Sequence, residues 1–288
     1  MGGVAAALAR GTGILAGGQS PRPDAALLLA CALERSRDWI VAHPDDDVDE
    51  AALARYVALC ARRSTGMPLA YVLGRAGFYG REFEVDESVL VPRPETEHLV
   101  DEALLFLRQR ALEGRESAVL DVGTGSGAIA CTIAAQSQNA VDATDASPAA
   151  LDVAARNARR LGVARLCRFF CGDLMEPVAS RRYDLIVANL PYLPTRDLPA
   201  APDPVSFEPA VALDGGPDGL DCYRRLLQTA PAALALEGLL LLEAAPPTMP
   251  ALETLVRAAF PGAQVAFGND YAGLARYLRC RQVRGASE

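Results

Sequence analysis

The sequence predicts a doubly wound α/β domain preceded by a small helical N-terminal domain and a connecting β-hairpin. Three observations carry that prediction. From Ala118 onward, short apolar runs alternate with amphipathic stretches, the pattern of a parallel sheet covered on both faces. A glycine-rich turn, Gly123–Gly127, stands where the first of those strands meets its first helix. Over the first 74 or so residues, apolar positions recur at helical spacing instead.

Taken in order, "MGGVAAALARGTGIL" reads as a short amphipathic helix, lacking the basic start and cleavage site of a signal peptide. "PDAALLLACALERS" reads as a second helix with Asp24 as N-cap and Leu27, Leu28, Cys31 and Leu33 facing inward. "DEAALARYVALCARR" repeats the pattern, capped by Asp49, with Leu53, Val57, Leu59 and Cys60 inward. "GRAGFYGREFEVDESVLVPRPETE" mixes aromatics, glycines and β-branched residues in short alternation, a hairpin signal. Pro94 suits a first helical position, and Glu95 and Glu97 complement the dipole of a helix running to about Ala111. Strands follow at "AVLDV", "AVDATD", "CRFFCG", "YDLIVA" and "LLLLEA", with helices at "GAIACTIAAQ", "PAALDVAARNARRLG" and near Asp218–Ala235. The expected division is 1–74 for the helical domain, 75–115 for hairpin and connecting helix, and 116–288 for the α/β domain.

Composition narrows the chemistry. Hydrophobic residues make up 51% and charged residues 22%, a profile with ample core. The greasiest segment, "LALEGLLLLEAA", is interrupted by Glu237 and Gly238, so no membrane span is expected. The seven cysteines are scattered without a C-x-x-C pair, and His43 and His98 are the only histidines, so neither a disulfide framework nor a zinc site is expected and a reducing cytoplasm fits. A net charge of −8 works against direct nucleic-acid binding. The chain contains no lysine, which excludes a Walker-type phosphate loop and a Schiff-base lysine.

Gly123, Gly125 and Gly127, with Thr124 and Ser126 between them, let the backbone approach a ligand and expose helix N-terminal N–H groups. Asp145 ends the second strand, where a carboxylate suits both hydroxyls of a ribose. The loop alone also matches a dinucleotide fingerprint. Asp121, just before it, is a poor neighbour for a pyrophosphate and a good one for the amino group of S-adenosyl-L-methionine. Asp173, in "CGDLMEP", is placed to accept from an adenine amino group, with Leu174 and Met175 against the ring. A methyl donor therefore fits better than a nicotinamide.

"NLPY", Asn189–Tyr192, ends the strand expected beside the first and so borders the same crevice. It resembles the signature of methyltransferases acting on planar nitrogen. Such a nitrogen has a delocalised lone pair. The Asn189 oxygen and a neighbouring backbone carbonyl, that of Leu190, can accept both N–H bonds and aim the lone pair at the methyl group, while Pro191 stiffens the loop and Tyr192 stacks on the flat group. No base is needed before attack.

Three further blocks resemble the bacterial release factor glutamine methyltransferases, the HemK/PrmC family, and the likeness covers nearly the whole chain. They are "GMPLAYVLGRAGFYGREFEV" (Gly66–Val85), "LVPRPETE" (Leu90–Glu97) and "FEPAVALDGGPDGLDCYRRL" (Phe207–Leu226). The chain departs from the family at Leu190, where proline is commoner, and at "LLLLEAAPPT", where Glu-Ile-Gly usually follows the strand. The resemblance implies a class I S-adenosylmethionine-dependent methyltransferase acting on the Gly-Gly-Gln glutamine of peptide chain release factors. Gly123 to Gly127, Asp145, Asp173 or Leu174, and Asn189 would hold the cofactor, Asn189 to Tyr192 the glutamine, and the helical domain the release factor. Arg93, Thr96 and Glu97 would border the pocket. An RNA or DNA adenine amino methyltransferase is the alternative, since "NLPY" also resembles ribosomal RNA dimethyltransferases. A ribosomal-protein glutamine methyltransferase is a closer neighbour in chemistry.

Overall fold

A computed structural model of the chain describes residues 2–270 and 272–283. The described residues fall into two units. One runs to Arg75 and also takes in Pro199–Phe207; the other holds Ala76–Leu198 and the chain from Glu208 on.

The first unit is helical: α1 (Val4–Ile14), α2 (Pro21–Ala32), α3 (Arg37–Ala42), α4 (Glu50–Ser64) and α5 (Leu69–Leu73). Its core gathers Val4, Leu28, Leu29, Tyr56 and Cys60. Asp49 caps α4 as expected, accepting from Ala52 N at 2.7 Å. Asp24 does not cap α2. That helix starts a turn earlier, at Pro21, and Asp24 instead pairs with Arg63 at 2.8 Å. Proline at a first helical position lets the chain turn helical without a side-chain cap, which frees Asp24 for the ion pair. The inward face of α4 is centred on Ala52, Tyr56 and Cys60, with Leu53, Val57 and Leu59 half-buried at its sides. Tyr56 reaches α1 because position 11 is glycine: a Cβ there would stand 1.8 Å from the Tyr56 hydroxyl.

The second unit begins at Ala76, within the hairpin β1 (Arg75–Phe78) and β2 (Arg81–Glu84), which is followed by α6 (Glu97–Leu112). A one-turn 3₁₀ segment at Pro94–Thr96 leads into α6. Then come β3 (Val119–Val122), α7 (Ala128–Ser137), β4 (Val141–Asp145), α8 (Pro148–Arg160), β5 (Cys167–Cys171), β6 (Tyr183–Ala188), α9 (Asp221–Ala233), β7 (Leu234–Glu243), α10 (Met249–Ala259), β8 (Gln264–Asn269) and β9 (Ala275–Arg281). The sheet order is β5-β4-β3-β6-β7-β9-β8.

Strand alternation builds two cores. Val119, Leu185, Val187, Leu239 and Leu241 face α6 and α7, while Leu120, Val122, Ile186, Leu240 and Leu242 face α9 and α10. Every residue of α7 from Ala128 to Ala134 is buried, which explains why that helix shows no polar face. Asp142, in β4, is 1% exposed and accepts from Arg168 Nε at 2.6 Å, Arg181 Nη1 at 2.5 Å and the Tyr183 hydroxyl at 2.8 Å.

The expected wholly parallel sheet holds from β5 through β7 only. β9 runs antiparallel to β7, and β8 antiparallel to β9, making the sheet mixed. β7 also begins at Leu234, earlier than "LLLLEA" suggests, across a register shift opposite Tyr183–Leu185 with Glu237 left-handed at φ 63°.

Candidate active site

β3 leads to β4 on one side and lies beside β6 on the other, so the chain reverses its winding between β3 and β6. The carboxyl ends of strands at such a switch form a crevice that loops can line. A cavity sits there, bordered by the Gly123–Ser126 backbone, Asp145, Asp173, Leu174 and Asn189–Pro191.

The glycine loop is clamped to β4: Gly123 N and Thr124 N both donate to Thr144 O at 2.9 Å. Gly123 has φ +74°, and a Cβ there would stand 2.9 Å from Leu190 Cδ2. Gly125, at φ +53°, has no atom within 4 Å of where a Cβ would be, so its face opens on the cavity. Asp145 fixes the loop's tip. Its Oδ2 accepts from Gly125 N at 2.8 Å and its Oδ1 from Ser147 N at 2.9 Å. A carboxylate oxygen has two lone pairs, so each retains one for a ligand hydroxyl.

Asp121 lies beneath this loop and is fully buried. Its Oδ2 accepts from Thr124 Oγ1 at 2.7 Å and from Ala130 N at 3.1 Å, while Oδ1 meets no partner among the described residues. Burial pushes its carboxyl up to about 7, against the pull of those two donors and with a smaller push from Asp145. Asp173 borders the cavity, ion-paired with Arg225. Leu174 borders it from a left-handed conformation, φ 46°, that costs a non-glycine residue about 1 kcal/mol or more. Met175 turns the other way, into the core with Val178 and Tyr183, rather than toward a ligand ring.

Asn189 follows β6, and its Nδ2 donates to Thr96 Oγ1 at 3.1 Å. Leu190 is buried against the glycine loop, so the residue that replaces the commoner proline fills space under Gly123. Tyr192 is half-buried and stands outside the cavity wall. Burial and the nearby Glu243 push its phenol up to about 12, with Arg93 and Arg276 pulling back. Backbone contacts hold the loop from behind: Leu193 N donates to Leu213 O at 3.0 Å, and Gly215 N to Leu193 O at 2.8 Å. A Cβ at Gly219 would stand 2.3 Å from Tyr192 O, so this close approach requires glycine.

Three residues were not singled out in the sequence. Glu208 accepts from Arg93 Nη2 at 2.5 Å and Val91 N at 3.2 Å, joining "FEPAV" to "LVPRP". Tyr223 is fully buried, with its hydroxyl donating to Glu243 O and lying 3.3 Å from Leu190 O. Glu243, at the end of β7, is 3% exposed. The signal for Glu208 was its place in a recognisable block; for Glu243 it was an acid closing an otherwise apolar strand.

The donor set suits S-adenosylmethionine. Asp145 offers acceptors to a diol, Gly125 leaves open space, and Leu174 supplies an apolar wall beside Asp173. Strand order, the glycine loop and the acid after β4 together define a class I methyltransferase with an S-adenosylmethionine-binding fold.

Known proteins place the chain more closely. Residues 6–74 match the family model described as the PrmC N-terminal domain, and residues 96–199 match the methyltransferase small domain. The release factor glutamine methyltransferase of Moorella thermoacetica is 42% identical over 265 residues, covering 90% of this chain and 91% of that one. That of Xylella fastidiosa is 44% identical over 223 residues, covering 77% and 79%. A solved methyltransferase from Pyrococcus furiosus shares the fold with a TM-score of 0.54 at 20% identity, covering 72% of this chain and 92% of that one. The chain belongs to the release factor glutamine methyltransferase family. Among the described residues, no helix is long and apolar enough to cross a membrane.

Proposed function

We propose that this enzyme transfers a methyl group from S-adenosyl-L-methionine to the side-chain amide nitrogen of the glutamine in the Gly-Gly-Gln motif of peptide chain release factors, in the cytoplasm. The observation that carries the reading is the placement of Asn189 on the same cavity as the glycine loop, with its amide nitrogen turned back toward Thr96. Asn189 Oδ1 is thereby left to accept from a substrate.

When bound, the cofactor supplies an electrophilic methyl group on a sulfonium. Gly123 to Gly127 bring backbone to it, Asp145 holds its ribose hydroxyls, and Asp173 and Leu174 receive its base. Asp121 steadies the loop through Thr124 and Ala130. Asn189 Oδ1 and the Leu190 carbonyl accept the two N–H bonds of the glutamine amide and favour a pyramidal nitrogen. Pro191, on the cavity wall, limits the loop's freedom. Holding a reacting pair in place is worth roughly 7–11 kcal/mol, so positioning can carry most of the acceleration. The helical N-terminal domain contacts the release factor, a protein partner that an acidic enzyme can engage without binding nucleic acid.

The test offers labelled methyl donor with a release factor, ribosomal proteins or ribosomal RNA. Label is expected only in the release factor, at the Gly-Gly-Gln glutamine. Label in RNA would replace this reading with the adenine one.

A further inference from the structure

The parallel register pairs Val187 with Leu241 and Ala188 with Leu242, so Asn189 and Glu243 are the next residues on adjacent strands. Ala188 and Leu242 face the core under α9. By strand alternation, Asn189 and Glu243 therefore share the opposite face, under α6, where Val187 and Leu241 pack with Leu99 and Val100. Thr96, 4% exposed at the start of α6, closes the group, accepting from Asn189 Nδ2 at 3.1 Å.

We propose that Glu243, acting with Thr96, is the positioning residue that sets which way the Asn189 carboxamide faces. The inference rests on the reading of this cavity as a glutamine-amide site. The Asn189 NH2 has two hydrogens, and the buried group offers an acceptor for each: the Thr96 hydroxyl and the Glu243 carboxyl. Thr96 gives its own hydrogen to Glu243, so only an acceptor lone pair is left toward Asn189. With Glu243 ionised, a flipped amide would set Oδ1 against that lone pair and a carboxylate, with no donor for it. The ionised carboxylate therefore holds Oδ1 toward the cavity. Burial pushes the Glu243 carboxyl up to about 7, and hydrogen bonds from Thr96 and Asn189 pull it back. Its Oε2 meets no partner among the described residues, so the group is held here at a cost to folding. Tyr223, bonded to the Glu243 carbonyl and close to that of Leu190, ties the two strand ends at the same level.

Glutamine at 243 keeps the shape but can donate as well as accept, so it no longer dictates one amide orientation. The experiment compares wild type, Glu243→Gln, Thr96→Val and Thr96→Ser by two readouts. With asparagine-selective 15N labelling of the four asparagines, the Asn189 side-chain NH2, assigned by its loss in Asn189→Ala, is expected to be protected from solvent exchange in wild type. It should lose about tenfold or more of that protection in Glu243→Gln and Thr96→Val, and recover it in Thr96→Ser. Methyl transfer to a release factor should show kcat lowered about 10- to 100-fold in the same two variants, with donor-product affinity within about twofold. Unchanged Asn189 protection in both Glu243→Gln and Thr96→Val overturns the proposal, whether or not the release factor is a substrate. A wild type that fails to label the release factor while the protection pattern holds counts against the proposed function alone.

Discussion

Asp121 makes stability depend on pH in a direction opposite to that of most carboxylates. Its folded-state value of about 7 lies above the ordinary 3.8, with burial as the largest cause. The folded protein therefore holds a proton that the unfolded chain has released between these two values. The stability linked to that proton is complete below about pH 4 and is lost as pH rises through 7. At about 1.4 kcal/mol per pH unit, the whole effect is about 4 kcal/mol, of which about 3 kcal/mol falls between pH 5 and pH 8. Asp214, Asp218 and Asp270 have lowered values and act only at more acid pH. Glu243, also raised to about 7, gives wild type a second slope of the same sign, so the comparison must be with a single variant. Asp121→Asn keeps an oxygen for Thr124 and Ala130 and removes the titration. Urea unfolding at pH 5 and pH 8 should show the variant losing about 3 kcal/mol less than wild type over that interval, with the variant the more stable of the two at pH 8. Parallel profiles would mean that Asp121 is already ionised at pH 5, and the burial argument would be wrong.

Asn189→Ala should lower turnover by about 100-fold or more while leaving donor-product affinity within about tenfold, measured by steady-state kinetics and calorimetry. Equal losses in both would reassign Asn189 to cofactor binding. Gly123→Ala should weaken donor-product binding by about tenfold, because a left-handed alanine costs roughly 1–2 kcal/mol and its Cβ meets Leu190 at 2.9 Å; calorimetry reads this directly. Arg93→Ala should destabilise the fold by about 3 kcal/mol in denaturant titration, since it removes the guanidinium paired with a Glu208 carboxylate that is only 2% exposed.

The segment from β3 through α8 was legible because each local signal pointed the same way. The strands are apolar and short, the helices follow at once, and glycines mark the positive-φ turn from β3 into α7. The end of the sheet was not. β8 is an edge strand with one buried residue, Gly268, so no apolar alternation announces it. The first residues of β7, "LALEG", carry a helical pattern and become strand only by pairing across an irregular register with β6. Asp24 misled because cap preference is local, whereas its partner Arg63 is brought to it by the packing of α2 on α4. Glu243 was hidden for the same reason. Its meaning depends on a parallel register that sets it beside Asn189, a relation that strand alternation alone does not contain.

That register also accounts for the charge of the site. In the proposed reaction a positive charge leaves sulfur and arrives on nitrogen, so the protein must favour a cation at both ends of one short path. An oxyanion site would aim N–H donors at the reacting group. The acceptors at the cavity are Asp145 at the glycine loop and, at the other end, Asn189 Oδ1 backed by Glu243. The two arginines on the cavity wall are each matched by an acid, Arg93 by Glu208 at 2.5 Å and Arg225 by Asp173. The Arg93–Glu208 pair ties "FEPAV" to "LVPRP" and offsets a cation on the cavity wall, so that it opposes a developing positive charge less.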